Sequence, residues 1–245
     1  MKKTVLVTGS SIGLGASIFR LFAQNKYNVI INYNNSKKEA LELAQEIKDT
    51  YEVDVLTIKC DISNIKEVKE MIKTIKNKFK RIDCLVNNAA INIDQAFDDK
   101  KEIDFQKVLD VNVKGTYLVT KEAISIMNKG SIINISSTNG IDTEYIESID
   151  YDASKAAIIS LSRNFANILA PNIRVNVVAP GWIDDKNSNN LNPDFKKEEL
   201  NKILLNRFAY EEEIAKVVFF LASDDASYIN KSVIRVDGGI KWLII

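Results

Sequence analysis

Seven short apolar segments alternate with longer amphipathic ones along the 245-residue chain, and this alternation limits the folds open to it. The short segments are rich in Val and Ile and hardly alternate with polar residues, as is typical of parallel strands covered on both faces. They span residues 4–8, 29–32, 53–60, 82–87, 131–135, 174–179 and 232–236. Strand and helix alternating throughout predict βαβ units with right-handed crossovers. We therefore expect an α/β fold with a doubly wound, seven-stranded parallel sheet and helices on both faces.

Two of the intervening segments show the helical period clearly. Apolar residues recur every three to four positions over residues 64–79, which predicts a helix packed on the sheet. A second such pattern runs from Ile158 to Leu169 and ends before Pro171. We find no internal repeat and no linker, so residues 1–245 are expected to form a single domain. Residues 184–194 contain four Asn and almost no apolar residue, and they are predicted to be a mobile loop.

The sequence contains no histidine, and this absence excludes several kinds of catalytic site. Ser-His-Asp and Cys-His sites both need an imidazole, and so does a catalytic zinc with histidine ligands. The two cysteines, Cys60 and Cys84, do not form a Cys-x-x-Cys pair, so we expect neither a metal site nor a disulfide framework. A general acid in this chain must therefore be Tyr, Lys, Asp, Glu or Cys.

Charge and hydropathy exclude two classes of partner. The chain has 33 basic and 33 acidic residues, so nothing in its net charge favours nucleic acid or an anionic membrane. No window approaches about 18 uncharged apolar residues, the length that a membrane span needs. The apolar run after Met1-Lys2-Lys3 is too short for a signal peptide. We expect a cytoplasmic protein.

A glycine-rich turn follows the first predicted strand and opens the first helix. It reads Thr8-Gly9-Ser10-Ser11-Ile12-Gly13-Leu14-Gly15. Glycines at such a turn let the backbone approach a pyrophosphate, whose charge is then stabilised by the helix N-terminus. Its position between a strand and a helix favours a dinucleotide-binding turn over a purely structural one.

The spacing Gly-x-x-x-Gly-x-Gly resembles that of the short-chain dehydrogenase/reductase family, which has a Rossmann fold. Further motifs of that family follow in order, each at a strand end or in a helix: Asp61, Asn87-Asn88-Ala89-Ala90, Asn112, Ser136-Ser137, Tyr151-Asp152-Ala153-Ser154-Lys155, Pro180-Gly181 and Val236-Asp237-Gly238-Gly239. The resemblance covers essentially the whole chain. Within the family the sequence is most similar to the 3-oxoacyl-acyl-carrier-protein reductase branch.

The resemblance implies an enzyme that transfers hydride between a nicotinamide and a carbonyl or alcohol. Its catalytic residues would be Asn112, Ser137, Tyr151 and Lys155. Tyr151 would protonate the carbonyl oxygen, Lys155 would hold the nicotinamide ribose, Ser137 would bind the substrate oxygen, and Asn112 would hold a water that links Lys155 to solvent. Tyr151 and Lys155 are one helical turn apart and project from one face. The ammonium is therefore expected to lower the pKa of the phenol from about 10.

Two positions compete with this assignment. Ser136 is the alternative serine, but Ser137 precedes x-x-Gly as in the family. Tyr145 is the alternative tyrosine, but Ile149 stands where its lysine partner would be.

The resemblance also implies a set of cofactor contacts. These would be made by Gly9, Ser10, Ser11, Ile12, Gly13, Gly15, Asn34, Asp61, Ile62, Asn88, Ala89, Tyr151, Lys155, Pro180, Gly181 and Ile183. Asp61 is also a candidate helix N-cap. Asp185 stands where a threonine of the family usually contacts the cofactor, and an ionised carboxylate cannot donate that hydrogen bond.

The choice between NADP and NAD depends on the end of the second strand. A carboxylate there would bind the ribose 2′-hydroxyl of NAD, but this chain has Tyr33 at that position. Lys37 and Lys38 follow and can approach a 2′-phosphate. Ile12 and Asn34 argue against NADP, because NADP enzymes of the family often carry Arg or Lys there. The sequence favours NADP.

The substrate is expected to be a small carbonyl or alcohol, and an acyl thioester is one candidate. Its determinants would lie in residues 91–102, 141–149 and 184–205, the last being the substrate loop. An alcohol, polyol or sugar dehydrogenase is the second hypothesis, and a catalytically inactive dinucleotide-binding regulator is the third.

Two further expectations concern the cysteines and the C-terminus. In the strand order 3-2-1-4 two strands separate Cys60 from Cys84, so both should be free thiols. The apolar tail Trp242-Leu243-Ile244-Ile245 predicts a homo-oligomer, a tetramer or a dimer, because four apolar residues in water are costly.

Overall fold

The computed structural model describes residues 2–142 and 144–241, and these residues form a seven-stranded parallel sheet. The strands are β1 (Thr4–Val7), β2 (Asn28–Tyr33), β3 (Val55–Lys59), β4 (Cys84–Asn87), β5 (Gly130–Ile135), β6 (Ile173–Pro180) and β7 (Val233–Val236). Their order is β3-β2-β1-β4-β5-β6-β7, and every neighbouring pair is parallel. The predicted doubly wound sheet is confirmed.

Helices connect the strands and cover both faces of the sheet. They are α1 (Gly13–Gln24), α2 (Lys37–Thr50), α3 (Ile65–Phe79), α4 (Glu102–Leu109), α5 (Thr116–Ala123), α6 (Ile149–Leu169), α7 (Lys186–Asn189), α8 (Pro193–Lys202) and α9 (Glu211–Ala222). The two helices with a clear period in the sequence are α3 and α6. Asn64 caps α3 by accepting a hydrogen bond from the backbone N–H of Lys66 at 3.0 Å.

Two apolar cores lie on opposite faces of the sheet. One packs α1, α2 and α9 against it, and the other packs α3, α5 and α6. Strand β1 shows how one apolar run serves both cores, because Val5 and Val7 belong to the first core and Leu6 to the second. Successive side chains of a strand point to opposite faces, so a strand buried on both sides is apolar throughout.

The direction in which the chain adds strands to the sheet reverses between β1 and β4, and this reversal determines where the candidate site lies. From β1 the chain builds the sheet outwards to β2 and β3, and from β4 it builds the other half. In such a sheet the connections after the two central strands run to opposite faces, which leaves a crevice at the carboxyl ends of the strands. The glycine turn, Asn88 and Ser137 follow β1, β4 and β5 and therefore meet at this edge.

Residues 184–194, predicted to be a loop, contain α7 and the start of α8. That prediction was wrong for the helical part. Asp185 Oδ1 accepts from the N–H of Ser188 at 2.9 Å, and Asn192 Oδ1 accepts from the N–H groups of Asp194 and Phe195 at 2.9 and 3.3 Å. Short polar side chains favour both loops and helix N-termini, so composition alone did not separate the two.

The helix predicted around Asn112 is interrupted. A π-helical turn, Asp110–Gly115, separates α4 from α5 and contains Asn112. Such turns are often found at functional sites because they displace one residue from the regular helix.

The cysteine prediction is confirmed. Cys60 and Cys84 are buried free thiols, and β2 and β1 lie between β3, which Cys60 follows, and β4, which Cys84 begins.

The apolar tail at residues 242–245 lies outside the described residues, so the expected homo-oligomer stays a prediction. Among the helices in the described part of the chain, none combines the length and apolar character that a bilayer crossing requires.

Candidate active site

The glycine turn after β1 is held by a residue that the sequence analysis did not single out. Asn32, near the end of β2, accepts a hydrogen bond from Gly9 N at its Oδ1 (3.2 Å) and donates one from Nδ2 to the carbonyl of Cys60 (3.0 Å). Its own carbonyl accepts from Ser10 N at 3.1 Å. Asn32 is 2% exposed and joins the ends of β1, β2 and β3. In the sequence, Asn32 could have been noticed as an amide near the end of an otherwise apolar strand.

The turn is held from its other side by Asn88, after β4. Asn88 Nδ2 donates to the carbonyls of Thr8 and Gly9, both at 3.0 Å. The N–H groups of Asn88 and Ala89 donate to Thr8 Oγ1 at 3.0 and 3.1 Å. The structure therefore places these two predicted cofactor residues beside the turn, where they also fix its backbone.

The glycines of the turn are required for different reasons. A Cβ on Gly15 would lie 2.4 Å from the carbonyl oxygen of Gly9 and 2.7 Å from Asn88 Nδ2, so the helix can approach the turn only without a side chain. Gly13 has φ +60°, and a Cβ there would have only Glu211 Oε1 nearby, at 3.8 Å. Close packing thus requires glycine at position 15, and the backbone conformation favours it at position 13.

The residues around the turn fit the pyrophosphate of a dinucleotide. Ser10 Oγ is buried and has no hydrogen-bond partner among the residues that the structure describes. The N-cap of α1 is Ile12, which supplies no side-chain acceptor, and the first turn of α1 has no acidic residue. The first N–H groups of this helix therefore point toward the crevice edge with no side-chain acceptor of their own, which suits an anion.

Three residues predicted to contact the cofactor follow β2 and β3: Asn34, Asp61 and Ile62. Asn34 is exposed directly after β2, whereas Tyr33 lies in the first core at 8% exposure. Asp61 Oδ1 accepts from the N–H and the hydroxyl of Ser63 at 2.9 and 2.7 Å. The alternative that Asp61 caps α3 was wrong, because the cap is Asn64 and Asp61 forms a tight turn before it. Ile62 is buried beneath the π-helical turn.

A cavity of about 960 Å³ opens beside the turn at the carboxyl end of the sheet. Its walls come from all three segments predicted to contact substrate, 91–102, 141–149 and 184–205. Ser137 and Tyr151 line it, as do Gly181, Ile183 and Asp185 after β6. Pro180, the last residue of β6, is buried beneath them. This part of the predicted site therefore converges on one space.

Three of the four predicted catalytic residues are brought together. Lys155 is 3% exposed, its Nζ donates to the carbonyl of Ile135 at 2.9 Å, and it lies 5.2 Å from the centre of the Tyr151 ring. Ser137 and Tyr151 both line the cavity. Helix α6 carries the tyrosine and the lysine on one face, as the four-residue spacing predicted.

The expected direction of the Tyr151 pKa was wrong. Burial raises the pKa of Tyr151 to about 12, and the charges of Asp152 and Asp94 act in the same direction, while the hydrogen bond from Ser137 opposes them. Burial also lowers the pKa of Lys155 to about 8. Both shifts have one physical cause, since the low-dielectric interior disfavours the phenolate and the ammonium alike. Tyr151 therefore holds its proton at neutral pH.

Asn112, the fourth predicted catalytic residue, connects two elements. Its Oδ1 accepts from Ile91 N at 2.8 Å, and its Nδ2 donates to the carbonyl of Ile91 and to Ser154 Oγ, both at 2.9 Å. It thus ties the segment after β4 to α6, one residue from Lys155. Its role in holding a water stays a prediction.

The outer side of the cavity is formed by an aromatic group that we name the substrate wall: Tyr145, Trp182 and Phe195, whose ring centres are 5.8 to 6.2 Å apart. Glu199 holds it from behind. Its Oε2 accepts from Tyr145 Oη at 2.5 Å and from Trp182 Nε1 at 2.9 Å, and its Oε1 accepts from Lys202 at 2.6 Å.

Glu199 is only 3% exposed, although it carries a charge. Burial acts to raise the pKa of Glu199, but the hydrogen bonds from Lys202, Tyr145 and Trp182 together hold it below its usual range. Nothing in the polar sequence of α8 signalled this role. Tyr145, the alternative tyrosine, donates its hydroxyl hydrogen to Glu199. Burial and the Glu199 carboxylate raise the pKa of Tyr145 above its usual value.

The chain is similar to known proteins over nearly its whole length. A family model described as enoyl-(acyl carrier protein) reductase matches residues 9–241. The 3-oxoacyl-[acyl-carrier-protein] reductase FabG of Staphylococcus aureus is 39% identical over 244 residues, which is 98% of each chain. That of Thermotoga maritima is 38% identical over 97% of each chain. A solved short-chain dehydrogenase/reductase from Serratia marcescens superposes with a TM-score of 0.92 at 30% identity, again over 97% of each chain.

Proposed function

Because the chain belongs to the short-chain dehydrogenase/reductase family and is a nicotinamide-dependent oxidoreductase, we propose that it reduces the 3-oxo group of an acyl thioester with NADPH. Relatives that match over nearly their full length carry that activity in their names. The observation that carries the proposal is a protonated Tyr151 that shares a cavity wall with Ser137 and has the buried Lys155 behind it.

The residues of this chain divide the reaction between them. When bound, the nicotinamide supplies the hydride that the carbonyl carbon accepts. Tyr151 gives its hydroxyl proton to the carbonyl oxygen, so that a ketone, a hydride and a proton become an alcohol. Ser137 orients that oxygen, and Lys155 binds the ribose and offsets the charge left on Tyr151. General acids of this kind contribute about 10²–10⁴-fold to the rate.

The description of the family model and the names of the relatives differ in the bond that is reduced. An enoyl substrate is reduced at a carbon–carbon double bond, and a 3-oxoacyl substrate at a carbon–oxygen double bond. The two hydroxyl groups of Tyr151 and Ser137 sit together, as a reacting oxygen requires for one proton and one hydrogen bond. This arrangement favours the ketone.

The test is NADPH consumption with acetoacetyl thioester, run beside crotonyl thioester and a panel of simple ketones and sugars. We expect the acetoacetyl thioester to give the highest kcat/KM. Preference for the crotonyl thioester would contradict the ketone assignment, and preference for a sugar would favour the polyol or sugar dehydrogenase. Cofactor binding without turnover of any compound would favour the inactive regulator.

We also propose NADP as the cofactor. The Tyr33 side chain is buried in the core, so β2 ends without a carboxylate for the ribose 2′-hydroxyl. The exposed residues that follow include Asn34, Lys37 and Lys38. A carboxylate at the first of these would repel a 2′-phosphate.

Asn34→Asp should therefore reduce the ratio of NADP to NAD affinity by about tenfold, which is about 1.4 kcal/mol. Asn35→Asp, which adds the same charge one residue further on, is the matched control and should change it less. Thermal shifts with both cofactors measure the ratio. An unchanged ratio in Asn34→Asp would place cofactor choice elsewhere.

A further inference from the structure

An ion pair buried in the protein joins the segment after β4 to the first turn of α6. Lys100 Nζ lies 2.8 Å from Asp150 Oδ1, and the two side chains are 5% and 0% exposed. We name these two residues the buried pair. They have no part in the mechanism above, although Asp150 directly precedes Tyr151 in the chain. Lys100 belongs to the segment 91–102, whose first residues line the cavity. The buried pair therefore links one wall of the cavity to the helix that carries the proton donor.

Both members of the buried pair also hold backbone groups. Lys100 Nζ donates to the carbonyl of Ile93 at 2.5 Å, within the cavity wall. Asp150 Oδ1 accepts from the N–H of Tyr151 at 2.9 Å, in addition to the hydrogen bond from Lys100. One carboxylate oxygen thus receives a hydrogen from the wall and another from the backbone of Tyr151.

The first turn of α6 uses this carboxylate because its N-cap side chain is engaged elsewhere. Ser148 is the N-cap and makes no side-chain hydrogen bond to the helix, and its hydroxyl donates instead to Asp94. The first N–H groups of a helix have no partner within it, and a negative charge beside them is favourable. Tyr151 is the third residue of α6, so its N–H is one of these groups. Asp150 therefore replaces the missing cap and fixes the backbone of Tyr151 in doing so.

The carbonyl of Tyr151 is held as well. Ser154 Oγ donates to it at 2.7 Å and accepts from Asn112 Nδ2 at 2.9 Å. Asn112 in turn binds the N–H and the carbonyl of Ile91 at 2.8 and 2.9 Å. The segment after β4 is thus attached to α6 on both sides of Tyr151, through Asn112 and Ser154 on one side and through the buried pair on the other.

Stability alone is a poor explanation for the buried pair. Taking an ammonium and a carboxylate out of water is costly, and apolar side chains in place of a buried pair are often neutral or stabilising. Asp150 Oδ2 adds to this cost, since it is buried and finds no hydrogen-bond partner in the described part of the chain. The pair does fix a geometry, because Lys100 can meet both Asp150 and Ile93 only while wall and helix keep their present separation.

We propose that Lys100 and Asp150 are positioning residues, which hold Tyr151 where its hydroxyl reaches the substrate oxygen. The inference rests on the proposed function in taking Tyr151 as the proton donor. Without the buried pair, α6 would remain a helix, but its first turn could shift against the cavity wall. Misplacement of a reacting group by about 1 Å can cost as much as 10²-fold in rate, so kcat should fall. The glycine turn is held by other residues, so cofactor affinity should not change.

The decisive variant replaces both members at once, Lys100→Met with Asp150→Leu, so that no unpaired charge is left in the interior. We expect this double variant to fold, with kcat for the acetoacetyl thioester lowered about tenfold and cofactor affinity within about twofold. Arg20→Met is the control, because it breaks the 2.7 Å ion pair of Arg20 with Glu46 between α1 and α2. Its kcat should be unchanged. An unchanged kcat in the double variant as well would overturn the inference.

A double-mutant cycle with Tyr151→Phe separates positioning from general damage. If the buried pair acts through the Tyr151 hydroxyl, its loss should cost about tenfold when that hydroxyl is present and less than about twofold in the Tyr151→Phe protein. A purely structural role would lower the residual rate of Tyr151→Phe by the same factor as the full rate. Single-turnover rates per bound cofactor give both numbers, and equal factors in the two proteins would contradict positioning.

A conservative variant tests the contact with the backbone of Tyr151. Lys100→Met with Asp150→Asn also leaves no buried charge, but it keeps an oxygen that can accept from the N–H of Tyr151. We expect it to recover kcat at least about threefold relative to the variant with Asp150→Leu, because one hydrogen bond is restored. Equal rates of the two variants would show that Tyr151 is not held through this N–H.

Hydrogen–deuterium exchange provides a readout that does not need the reaction. The peptide 147–155 should exchange faster in Lys100→Met with Asp150→Leu than in Arg20→Met, whereas the peptide of the glycine turn should exchange equally in both. Unchanged exchange at 147–155 would overturn the inference whatever the kinetics. A protein that reduces no carbonyl would contradict the proposed function alone, because the exchange still shows whether the buried pair fixes Tyr151.

Discussion

The two sides of the candidate site, the glycine turn and the substrate wall, are built in different ways. On the cofactor side, the turn at residues 8–15 is held by its own backbone, by Asn32 and by Asn88, and Gly15 leaves no space for a single added carbon. On the opposite side, the substrate wall is held by side chains alone, with three hydrogen bonds converging on Glu199. Backbone packing permits few residue types, whereas a side-chain cluster can be built in many ways. The first side therefore leaves a pattern that can be read in a sequence, and the second does not.

The largest effect is expected at Tyr151, which should be needed for turnover and not for cofactor binding. Tyr151→Phe should lower kcat about a thousandfold, because only the proton donor is lost. Cofactor affinity should stay within about twofold. Steady-state kinetics and a cofactor titration measure the two effects.

The matched control is Tyr145→Phe, which removes the hydroxyl of the other cavity tyrosine and should leave most of the turnover intact. A Tyr151→Phe enzyme that kept even about a tenth of kcat would contradict the assignment of the acid.

The second effect should be confined to the cofactor side. Gly15→Ala places a methyl group 2.4 Å from the carbonyl oxygen of Gly9, and no flexible side chain there can yield. Overpacking of this kind costs about 1–3 kcal/mol, so cofactor affinity should fall roughly tenfold or more.

Gly13→Ala is the graded comparison, since its methyl group makes only an ordinary contact with Glu211 Oε1 at 3.8 Å and its cost is the positive φ, about 1 kcal/mol. Its stability should fall, but its cofactor affinity should fall less than in Gly15→Ala. Thermal melting and cofactor titration of both proteins give the ranking, and equal losses of affinity would mean that close packing at Gly15 is not what shapes the turn.

A change of pH should also affect the two sides differently. The pKa of Lys155 is about 8 and that of Tyr151 about 12, so raising the pH through 8 removes the ammonium while the proton donor stays loaded. Reduction should therefore slow about tenfold per pH unit above about 8, with weaker cofactor binding.

The substrate wall should not respond, because Glu199 is already ionised there and Tyr145 remains neutral. The KM of the acyl substrate is thus expected to be flat over the same range. A pH profile of each kinetic constant tests this, and a parallel rise in the substrate KM would refute the separation.

The smallest predicted effect belongs to the substrate wall. Glu199→Leu leaves the Tyr145 hydroxyl without its acceptor and leaves the Trp182 indole N–H with Tyr145 Oη, at 3.0 Å, as its remaining acceptor. The loss of the Tyr145 acceptor costs about 1–3 kcal/mol if no water replaces it. We expect KM for the acyl substrate to rise about fivefold while cofactor affinity is unchanged.

Glu199→Gln keeps an oxygen that can accept from Tyr145 and Trp182. Its KM for the acyl substrate should therefore lie between that of the unchanged protein and that of Glu199→Leu. In a Trp242→Phe background Trp182 is the only indole, so its emission reports the wall directly. If Trp182 fluorescence had the same emission maximum with and without Glu199→Leu, Glu199 would not be what holds the substrate wall.

The same contrast explains what the sequence could and could not predict. The seven strands and the order β3-β2-β1-β4 were predicted from the alternation of strands and helices. Ser137, Tyr151 and Lys155 were named from the family resemblance, and the four-residue spacing placed the last two on one helix face. The direction of the Tyr151 pKa was predicted wrongly, because it depends on burial that no local spacing encodes.

The supporting residues were missed for a related reason. Asn32 at least stood out as a polar residue in an apolar strand, but Glu199 is an ordinary surface residue type in its segment. Its role depends on contacts with residues far along the chain, such as Tyr145, 54 positions away. Single-sequence reasoning has no access to such pairs.

The most direct test of the central claim is the fate of deuterium from NADPH deuterated at the nicotinamide C4. With acetoacetyl thioester, we expect a 3-hydroxybutyryl thioester with one deuterium on C3 and a solvent-derived proton on oxygen, and Tyr151→Phe should form almost none of it. Mass spectrometry and proton NMR of the product read out the position. Deuterium found instead in a saturated butyryl thioester made from the crotonyl compound, with the ketone untouched, would contradict reduction of a carbonyl by Tyr151 and Ser137.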